Sequence, residues 1–424
     1  MTQCIYFHFH AYQPGDILFV KSNNYALPME FEERISPVSI SVREKKFSGK
    51  NWTSVILNAY EHACKLFPEI NEILGSQICT LDIEPYTILK IIESDAKYGK
   101  SVYNSIIDAF SKELVVPVMT IPFHPILHHL DRYEQEILCK IAVQFFAPLI
   151  RKQKFIGVWF PEGAITLDSI SIFLDAFHKE INSAIPYIIV DRRQLFLPVY
   201  QANWSCNTIK IGKRYAYVVG RENDVSDAFS FKSMSPVDIV KEIRKNKRDE
   251  VKDEDGIPYI ITIATDFETL LVDKEQSERF KELIRQLINY GIRVQTYPEF
   301  VNMKLKGLYN RWKYRDEEKF VVDIKEYSSW SDYPDLCIDS QTSDMRWTGL
   351  RRYDGVIVHR RYKGRRVSQI WKQGYTILLS LANRFIREKV ITLIALGSDA
   401  DEEKIKEFLI EYNKIVFMEY YIKN

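Results

Sequence analysis

Short runs rich in Ile, Val, Tyr and Phe alternate with longer helix-like segments through the first three hundred residues of this chain. The strand-like runs lie near residues 3–10, 78–82, 115–121, 156–160, 187–190, 215–219, 259–264 and 292–295. The helix-like segments lie near residues 53–74, 102–114, 132–150, 169–181, 236–248 and 275–290. Such alternation predicts parallel strands joined by crossover helices. Eight apolar strands favour a closed or nearly closed β/α barrel, and a doubly wound open sheet is the alternative.

An ionisable residue follows each of the eight predicted strands. In chain order these residues are His10, Asp82 with Glu84, His124, Glu162, Asp191, Arg221, Asp266 and Glu299. In barrel enzymes the C-terminal ends of the strands converge on one mouth, which carries the functional groups. Eight ionisable residues in succession therefore favour a polar pocket for a sugar or a metal ion.

The chain is long enough for more than one domain. Its 424 residues suit a single barrel of ~250 to 300 residues with a smaller appendage. We predict a β/α-barrel domain over residues 1–305 and a mainly α-helical C-terminal domain over residues 306–424. The aromatic segment that begins the second domain contains Trp312, Trp330 and Trp347, and we expect it to contribute to the mouth of the barrel.

Charge and hydropathy bear on the partners of this protein, and cysteine content bears on its cellular compartment. The 58 basic and 57 acidic residues nearly cancel, so no global field favours nucleic acid or a membrane surface. No apolar run approaches the ~18 residues of a membrane span, and no charged leader precedes the first strand. The six cysteines are scattered without a C-x-x-C pair, as in a reducing compartment. We therefore expect a cytoplasmic protein with a neutral, polar substrate; the oligomeric state is not set by these features.

Two histidines lie two positions apart on the first predicted strand. His8 and His10 should project from the same face, in line with Cys4 and Tyr6, because side chains alternate along a strand. Such a pair can hold a metal ion, or one member can bind a substrate hydroxyl. A metal-dependent hydrolase would use both histidines with His124 and Asp266 as ligands.

Two carboxylates end the fourth and seventh predicted strands, so that each would enter the mouth from a different side. Glu162 follows the apolar run GVWFP, and Asp266 follows IITIAT. Glycoside cleavage needs one carboxylate to attack or stabilise the anomeric carbon and a second to protonate the leaving oxygen. The ordinary alternative for each residue is a strand that ends at a polar turn.

Several segments resemble motifs of glycoside hydrolase family 57, in the family's order and over about residues 4 to 350. WFPEGA resembles the WLPEcA segment around the family's nucleophile, and TDFETL resembles the D-x-E-T-F-G segment of its acid/base. FHAYQP is similar to the first motif of the branch that ends in Y-Q-P. The remaining similar stretches are TIPFHPILHHLD, VVGRENDVSDAFSF, YSSWSD and MRW.

This resemblance implies a retaining enzyme of the α-amylase or 4-α-glucanotransferase type, with an α-glucan or oligosaccharide as substrate and no cofactor or metal. The implied fold is an incomplete, seven-stranded β/α barrel with a mainly α-helical C-terminal region. Glu162 becomes the nucleophile and Asp266 the general acid/base, their carboxyl groups roughly 5 to 6 Å apart. The implied substrate-binding residues are His10, His124, Trp159, Arg221, Asp227, Glu268, Trp330 and Trp347.

The sequence departs from the family pattern beside both carboxylates. Gly163 replaces the usual cysteine or threonine after the glutamate, which predicts looser support for Glu162. Leu270 and Leu271 replace the Phe-Gly that follows D-x-E-T, which leaves the substrate preference open. A non-catalytic carbohydrate-binding homologue is therefore the remaining alternative.

Overall fold

The computed structural model describes most of the barrel region and short parts of the rest. The described residues are 4–11, 46–47, 50–85, 87–88, 91, 96–122, 124–150, 153–181, 183–196, 207–212, 214–245, 260–267, 274–302, 321–326, 329–330, 350–353, 356–359, 361–362 and 365–366. Glu268, Leu270, Leu271, Trp312, Trp347 and the region after residue 366, where helices were predicted, lie outside them.

The described elements are mainly short strands and amphipathic helices. The strands are β1 (Cys4–Ala11), β2 (Lys46–Phe47), β3 (Lys50–Asn51), β4 (Cys79–Ile83), β5 (Val115–Pro117), β6 (Met119–Thr120), β7 (Phe155–Trp159), β8 (Ile185–Asp191), β9 (Leu195–Phe196), β10 (Asn207–Ile211), β11 (Arg214–Arg221), β12 (Ile260–Asp266), β13 (Arg293–Val294), β14 (Asp323–Ile324), β15 (Leu350–Tyr353), β16 (Val356–His359), β17 (Arg361–Tyr362) and β18 (Arg365–Arg366). The helices are α1 (Trp52–Leu74), α2 (Ala96–Ser111), α3 (Arg132–Ile150), α4 (Leu167–Glu180), α5 (Asn223–Ser230), α6 (Pro236–Lys245) and α7 (Lys274–Asn289). Within the described residues, no helix is both long and apolar enough to cross a membrane.

Eight parallel strands form a nearly closed barrel, in the order β5-β4-β1-β12-β11-β8-β7-β6. The first and last strands of this order, β5 and β6, are separated along the chain by Val118 alone, so the sheet curls back on itself at one unsealed seam. If β5 and β6 are counted as one bent strand, the barrel has seven strands. The predicted β/α barrel is confirmed, and the open sheet is wrong.

Side chains of the barrel strands alternate between the lumen and the helical layer. On β1, Cys4 and Tyr6 pack in a cluster with residues of β7, β8 and β12, whereas Ile5, Phe7 and Phe9 join the larger core under the helices. His8 and His10 continue the row of Cys4 and Tyr6, as predicted, because strand side chains point alternately to opposite faces.

The last predicted strand lies at the opposite end of the barrel from the mouth. β13 pairs with the beginning of β1, through Cys4 and Arg293. Glu299 accepts the main-chain N–H of Thr296 at 2.6 Å and its hydroxyl at 3.0 Å, and thereby caps the following helical turn. The expectation that Glu299 joins the ionisable residues at the mouth is therefore wrong, because the strand before it pairs at the amino-terminal end of β1.

Residues on both sides of the predicted domain boundary at 305 contact each other. β14 pairs antiparallel with β9, which follows barrel strand β8. Strands β15 to β18 form two hairpins within the region predicted to be mainly helical. The division into residues 1–305 and 306–424 stays a prediction, because the predicted helices lie outside the described residues.

Gly157 provides a test of packing in the lumen. A Cβ at this position would lie 2.6 Å from the Tyr187 hydroxyl oxygen and 2.7 Å from Val118 Cγ2. Gly157→Ala should therefore lower the free energy of unfolding by roughly 1 to 3 kcal/mol. Urea denaturation measures this loss.

Gly220→Ala is the matched control, since it also adds a methyl group to a barrel strand. Its Cβ would lie 3.2 Å from the nearest atom, Arg192 Cα, so the loss should be smaller. Equal losses for Gly157→Ala and Gly220→Ala would contradict the packing argument.

Candidate active site

Glu162 lies in a strained turn at the end of β7. The turn spans Pro161–Gly163, and Glu162 has φ 55° and ψ 17°, a left-handed conformation. That conformation costs a residue other than glycine about 1 to 2 kcal/mol. Only 13% of the Glu162 side chain is exposed. The turn thus holds a carboxylate at the barrel mouth in a geometry that the surrounding contacts must maintain.

Three hydrogen bonds fix Glu162. His124 Nε2 lies 3.1 Å from Glu162 Oε1, and Trp330 Nε1 donates to Oε2 at 2.8 Å. The main-chain N–H of Trp330 also donates to the Glu162 carbonyl at 3.0 Å. Both carboxylate oxygens therefore have a partner, and one tryptophan holds the residue through its ring and its backbone.

Gly163 supports this turn, contrary to the expectation from its replacement of cysteine or threonine. It has φ 60°, which glycine adopts without strain. Gln194 Nε2 donates to its carbonyl at 2.9 Å. A Cβ at this position would lie 3.5 Å from Trp330 N. That distance is an ordinary contact, so glycine is favoured at 163 by its positive φ. The hydrogen bonds to Gly163 and to Glu162 support the turn, and the prediction of looser support is wrong.

The pKa of Glu162 is lowered from its ordinary value. Burial acts to raise it, but the hydrogen bonds from His124 and Trp330 and the nearby charge of His10 outweigh burial. The pKa of His124 is also lowered, by burial and by repulsion from His10. Glu162 is consequently a carboxylate at neutral pH, and neutral His124 donates its Nε2 proton to it.

His10 and His8 both approach Asp82, which is fully buried at the end of β4. His10 Nδ1 lies 2.7 Å from Asp82 Oδ2, and His8 Nε2 lies 3.0 Å from Oδ1. Burial opposes the charged form of His10, but the Asp82 carboxylate, aided by Asp266 and Glu162, raises its pKa to about 9. His10 is therefore an imidazolium at neutral pH.

Asp266 is the last residue of β12 and pairs in register with His10 of β1. Burial raises the pKa of Asp266 to about 6, and the negative charge of Glu162 acts in the same direction, whereas His10 and Arg221 oppose it. At the same mouth, therefore, Glu162 is ionised at neutral pH, whereas Asp266 keeps its proton until the pH rises to about 6. Environments that separate two pKa values in this way are typical of acid/base pairs.

Arg221 anchors the adjacent wall of the site. Its Nε donates to the Ala264 carbonyl at 2.8 Å, and one of its terminal nitrogens donates to Asp227. Its guanidinium carbon lies 5.2 Å from the ring centroid of Trp330, within the range of a cation–π contact. Arg221, Asp227 and Trp330, each predicted to be a site residue, are thus brought together.

Trp159 lies beneath the site and has 0% exposed surface. Its ring centroid lies 5.3 Å from His8, 5.6 Å from His10 and 5.0 Å from Trp330. It cannot present a free face to a sugar in this arrangement, so its contribution is to pack under residues at the mouth.

The metal-dependent alternative uses the two histidines of β1 as ligands, and both of them approach the Asp82 carboxylate. Within the described parts of the chain, no group of three or more His, Cys, Asp and Glu side chains is arranged to hold a metal ion. Measuring the metal content of the purified protein tests this alternative directly.

The sequence did not single out the residues that hold Trp330 in place. Arg193 donates to the Trp330 carbonyl at 2.5 Å and forms hydrogen bonds of 2.9 and 3.1 Å with Asp191. Asp191 was noticed only as a strand end, and Gln194 not at all. The available signal was the run DRRQ, which begins at the last residue of a buried strand.

Comparisons with known proteins identify the family of the chain. A family model described as "Maltose-forming alpha-amylase-like, N-terminal domain" matches residues 1–342, and the C-terminal domain model of the same description matches residues 346–423. An exo-type maltose-forming amylase from Pyrococcus sp. ST04 is 33% identical with a TM-score of 0.66, over 100% of this chain and 68% of that one. No curated protein sequence matches the chain significantly.

Two more distant structures share the fold alone. A GH57-type branching enzyme from Pyrococcus horikoshii is 13% identical with a TM-score of 0.53, over 97% of this chain and 88% of that one. The alpha-amylase AmyC from Thermotoga maritima is 11% identical with a TM-score of 0.50, over 99% of this chain and 98% of that one.

The raised pKa of Asp266 predicts a pH-dependent effect on stability. Its folded-state value of about 6 exceeds the ordinary 3.8, so the folded state binds more protons than the unfolded state between these values, and stability falls as pH rises through this window. Asp266→Asn should therefore raise the free energy of unfolding at pH 8 by up to about 3 kcal/mol and change it little at pH 4.

Urea denaturation at the two pH values measures this difference. Asp168→Asn, at an aspartate whose side chain is 66% exposed, is the control and should have little effect at either pH. An equal effect of Asp266→Asn at pH 4 and pH 8 would exclude buried charge as its cause.

Proposed function

This chain belongs to the maltose-forming alpha-amylase-like family of GH57 enzymes, and on that premise we propose that it is a retaining glycoside hydrolase or glucanotransferase acting on α-glucans. The observation that carries the proposal is the pair of carboxyl groups, Glu162 and Asp266, at one mouth with pKa values shifted in opposite directions. An ionised nucleophile and a protonated acid are what the retaining mechanism requires.

In the proposed reaction, a Glu162 oxygen attacks the anomeric carbon while Asp266 donates its proton to the departing glycosidic oxygen. The covalent glycosyl intermediate is then released by water or by a second sugar hydroxyl, from which Asp266 takes the proton back. The hydrogen bonds from His124 and Trp330 hold one face of Glu162, so that the carboxylate reacts from a defined position.

The residues around this pair are proposed to bind the sugar. His10 supplies a positive charge that acts on both carboxyl groups, and Trp330 is a partly exposed aromatic residue. Arg221 and Asp227 line the adjacent wall. Glu268 and Trp347 complete the proposed set from the sequence resemblance, and both lie outside the described residues.

The specific product that we propose is maltose, released from a chain end. The support is the relative with 33% identity, which is described as an exo-type maltose-forming amylase. A cytoplasmic location belongs to the same proposal. Its support is that Cys64, Cys79 and Cys139 are free and buried, as expected in a reducing compartment.

We predict that Glu162→Gln lowers turnover of soluble starch by more than about a hundredfold and leaves the fold intact, because it removes the nucleophile's charge and nearly keeps its volume. Reducing-sugar release and thermal unfolding measure the two effects. Glu136→Gln, at an exposed ion pair on α3, is the control and should retain full activity. Turnover above about a hundredth of the wild-type value in Glu162→Gln would count against this assignment.

The pH profile should report the two carboxyl groups. For natural glucans, kcat/KM should fall as pH rises through about 6, because Asp266 loses its proton there. As pH decreases, kcat/KM should fall only below the ordinary pKa of a glutamate, because the pKa of Glu162 is lowered.

An aryl α-glycoside with an activated leaving group tests the role of Asp266 separately. Such a substrate needs little protonation, so the alkaline fall should weaken and Asp266→Asn should damage its cleavage less than that of starch. Equal damage on both substrates would contradict the assignment of Asp266 as the acid.

Product analysis tests the proposed specificity. Maltooligosaccharides of defined length should yield maltose from the first minutes of reaction, with the remaining chain shortened by two glucose units. Chain-length analysis of the products measures this, and proton NMR of the first product should show the α-anomer. A ladder of longer products would indicate transfer or branching instead of maltose release.

A further inference from the structure

The turn that carries Glu162 depends on a residue far away in sequence. Glu162 and Gly163 are successive left-handed residues. The turn is closed by hydrogen bonds from the Gly163 N–H to the Phe160 carbonyl at 2.8 Å and from the Ala164 N–H to the Pro161 carbonyl at 2.9 Å, and these involve neither the carbonyl nor the carboxylate of Glu162. Trp330 instead binds the carbonyl and the carboxylate of Glu162, at 3.0 and 2.8 Å. The position of the carboxylate is thus coupled to the position of Trp330.

Trp330 is itself held by two arginines. Arg193 donates to its carbonyl oxygen at 2.5 Å, and the guanidinium group of Arg221 lies over its ring at 5.2 Å. The first contact restrains the backbone that carries the N–H to Glu162, and the second restrains the indole that carries Nε1.

One buried carboxylate orients both arginines. Asp191 has 0% exposed surface. It binds Arg193 at 2.9 Å through Oδ1 and at 3.1 Å through Oδ2, and Arg221 lies 3.7 Å from Oδ2. Asn223 also donates to Oδ2 at 2.7 Å. A carboxylate and a planar guanidinium that meet through both oxygens have a defined relative orientation, so Asp191 fixes the guanidinium group whose Nη2 also donates to the Trp330 carbonyl.

We propose that Arg193 is a positioning residue for Glu162, which is oriented by Asp191 and acts by fixing the backbone of Trp330 and with it the indole whose Nε1 donates to the Glu162 carboxylate. It does not touch the reacting atoms. Its loss lets Trp330 move, and a shift of about 1 Å in a reacting group can lower a rate by roughly a hundredfold. The inference rests on the proposed role of Glu162 as nucleophile.

The test measures covalent labelling of Glu162 by a 5-fluoro α-glycosyl fluoride. A Glu162 oxygen forms a bond to the anomeric carbon, and the C–F bond breaks as fluoride leaves with the electron pair. Because fluoride needs little protonation, the rate reports the position of the nucleophile with little contribution from Asp266. Mass spectrometry of peptides identifies the labelled residue, and the time course provides the rate.

Arg193→Gln should lower the labelling rate and kcat on starch by roughly ten- to a hundredfold and change KM little. The acid limb of its pH profile should move to higher pH, because Trp330 donates less well to Glu162. Arg193→Lys keeps the charge without the planar group and should fall between Arg193→Gln and wild type. If Arg193→Gln does not fold, Arg193→Lys carries the same test.

A double-variant cycle decides whether the effect passes through Trp330. Trp330→Phe removes the Nε1 donor and keeps an aromatic ring. If Arg193 acts through Trp330, adding Arg193→Gln to Trp330→Phe should cost clearly less than Arg193→Gln costs alone. If the labelling rate of the double variant falls by the product of the two single fold-losses, the inference is overturned.

Arg214→Gln is the matched control. Arg214 also binds an aspartate, Asp175, at 2.7 Å, and its side chain is 32% exposed against 21% for Arg193. It begins β11 at the end of the barrel opposite the mouth, so labelling should be unchanged. Unchanged labelling in Arg193→Gln would overturn the positioning role alone. Labelling of the wild type at a residue other than Glu162 would instead overturn the proposed nucleophile.

Discussion

Closure of a parallel sheet is the constraint on which the rest of this structure depends. Once β5 and β6 curl the sheet back on itself, every second side chain enters a lumen from which water is excluded, and all C-terminal strand ends meet at one mouth. Tyr6, His8 and His10 then form a single row. Burial, which the closure imposes, also sets the direction of several pKa shifts at the mouth.

The buried charges at the mouth influence one another because the lumen screens them poorly. Asp82 keeps His10 protonated, and the resulting positive charge helps to lower the pKa of Glu162 and opposes the rise in the pKa of Asp266 that burial causes. Only Glu162 also receives two side-chain hydrogen bonds. The difference between the pKa values of the two carboxyl groups therefore arises from their hydrogen bonds and burial, since both groups are near the same cation, His10.

Strain and support are balanced around the turn of Glu162. A left-handed glutamate is unfavourable on its own, yet hydrogen bonds from Trp330 to Glu162 and from Gln194 to Gly163 offset that cost, and Gly163 adopts its own positive φ without strain. The departure from the family pattern at this position thus has a structural role. The hydrogen bonds from Trp330 also make the geometry of the site depend on a residue that comes from beyond the barrel strands.

The sequence by itself determined the barrel, the row of β1 and the two carboxylates at strand ends, because hydrophobic periodicity and strand termination are local properties. It misplaced Glu299, since the pairing of β13 with the beginning of β1 is a choice of register that no local pattern records. Only the tertiary structure brought Trp330 onto Glu162 and Arg193 onto Trp330. Those contacts join residues more than a hundred positions apart, and the pKa shifts that follow depend on burial and on charges through space, which exist only once the chain has folded.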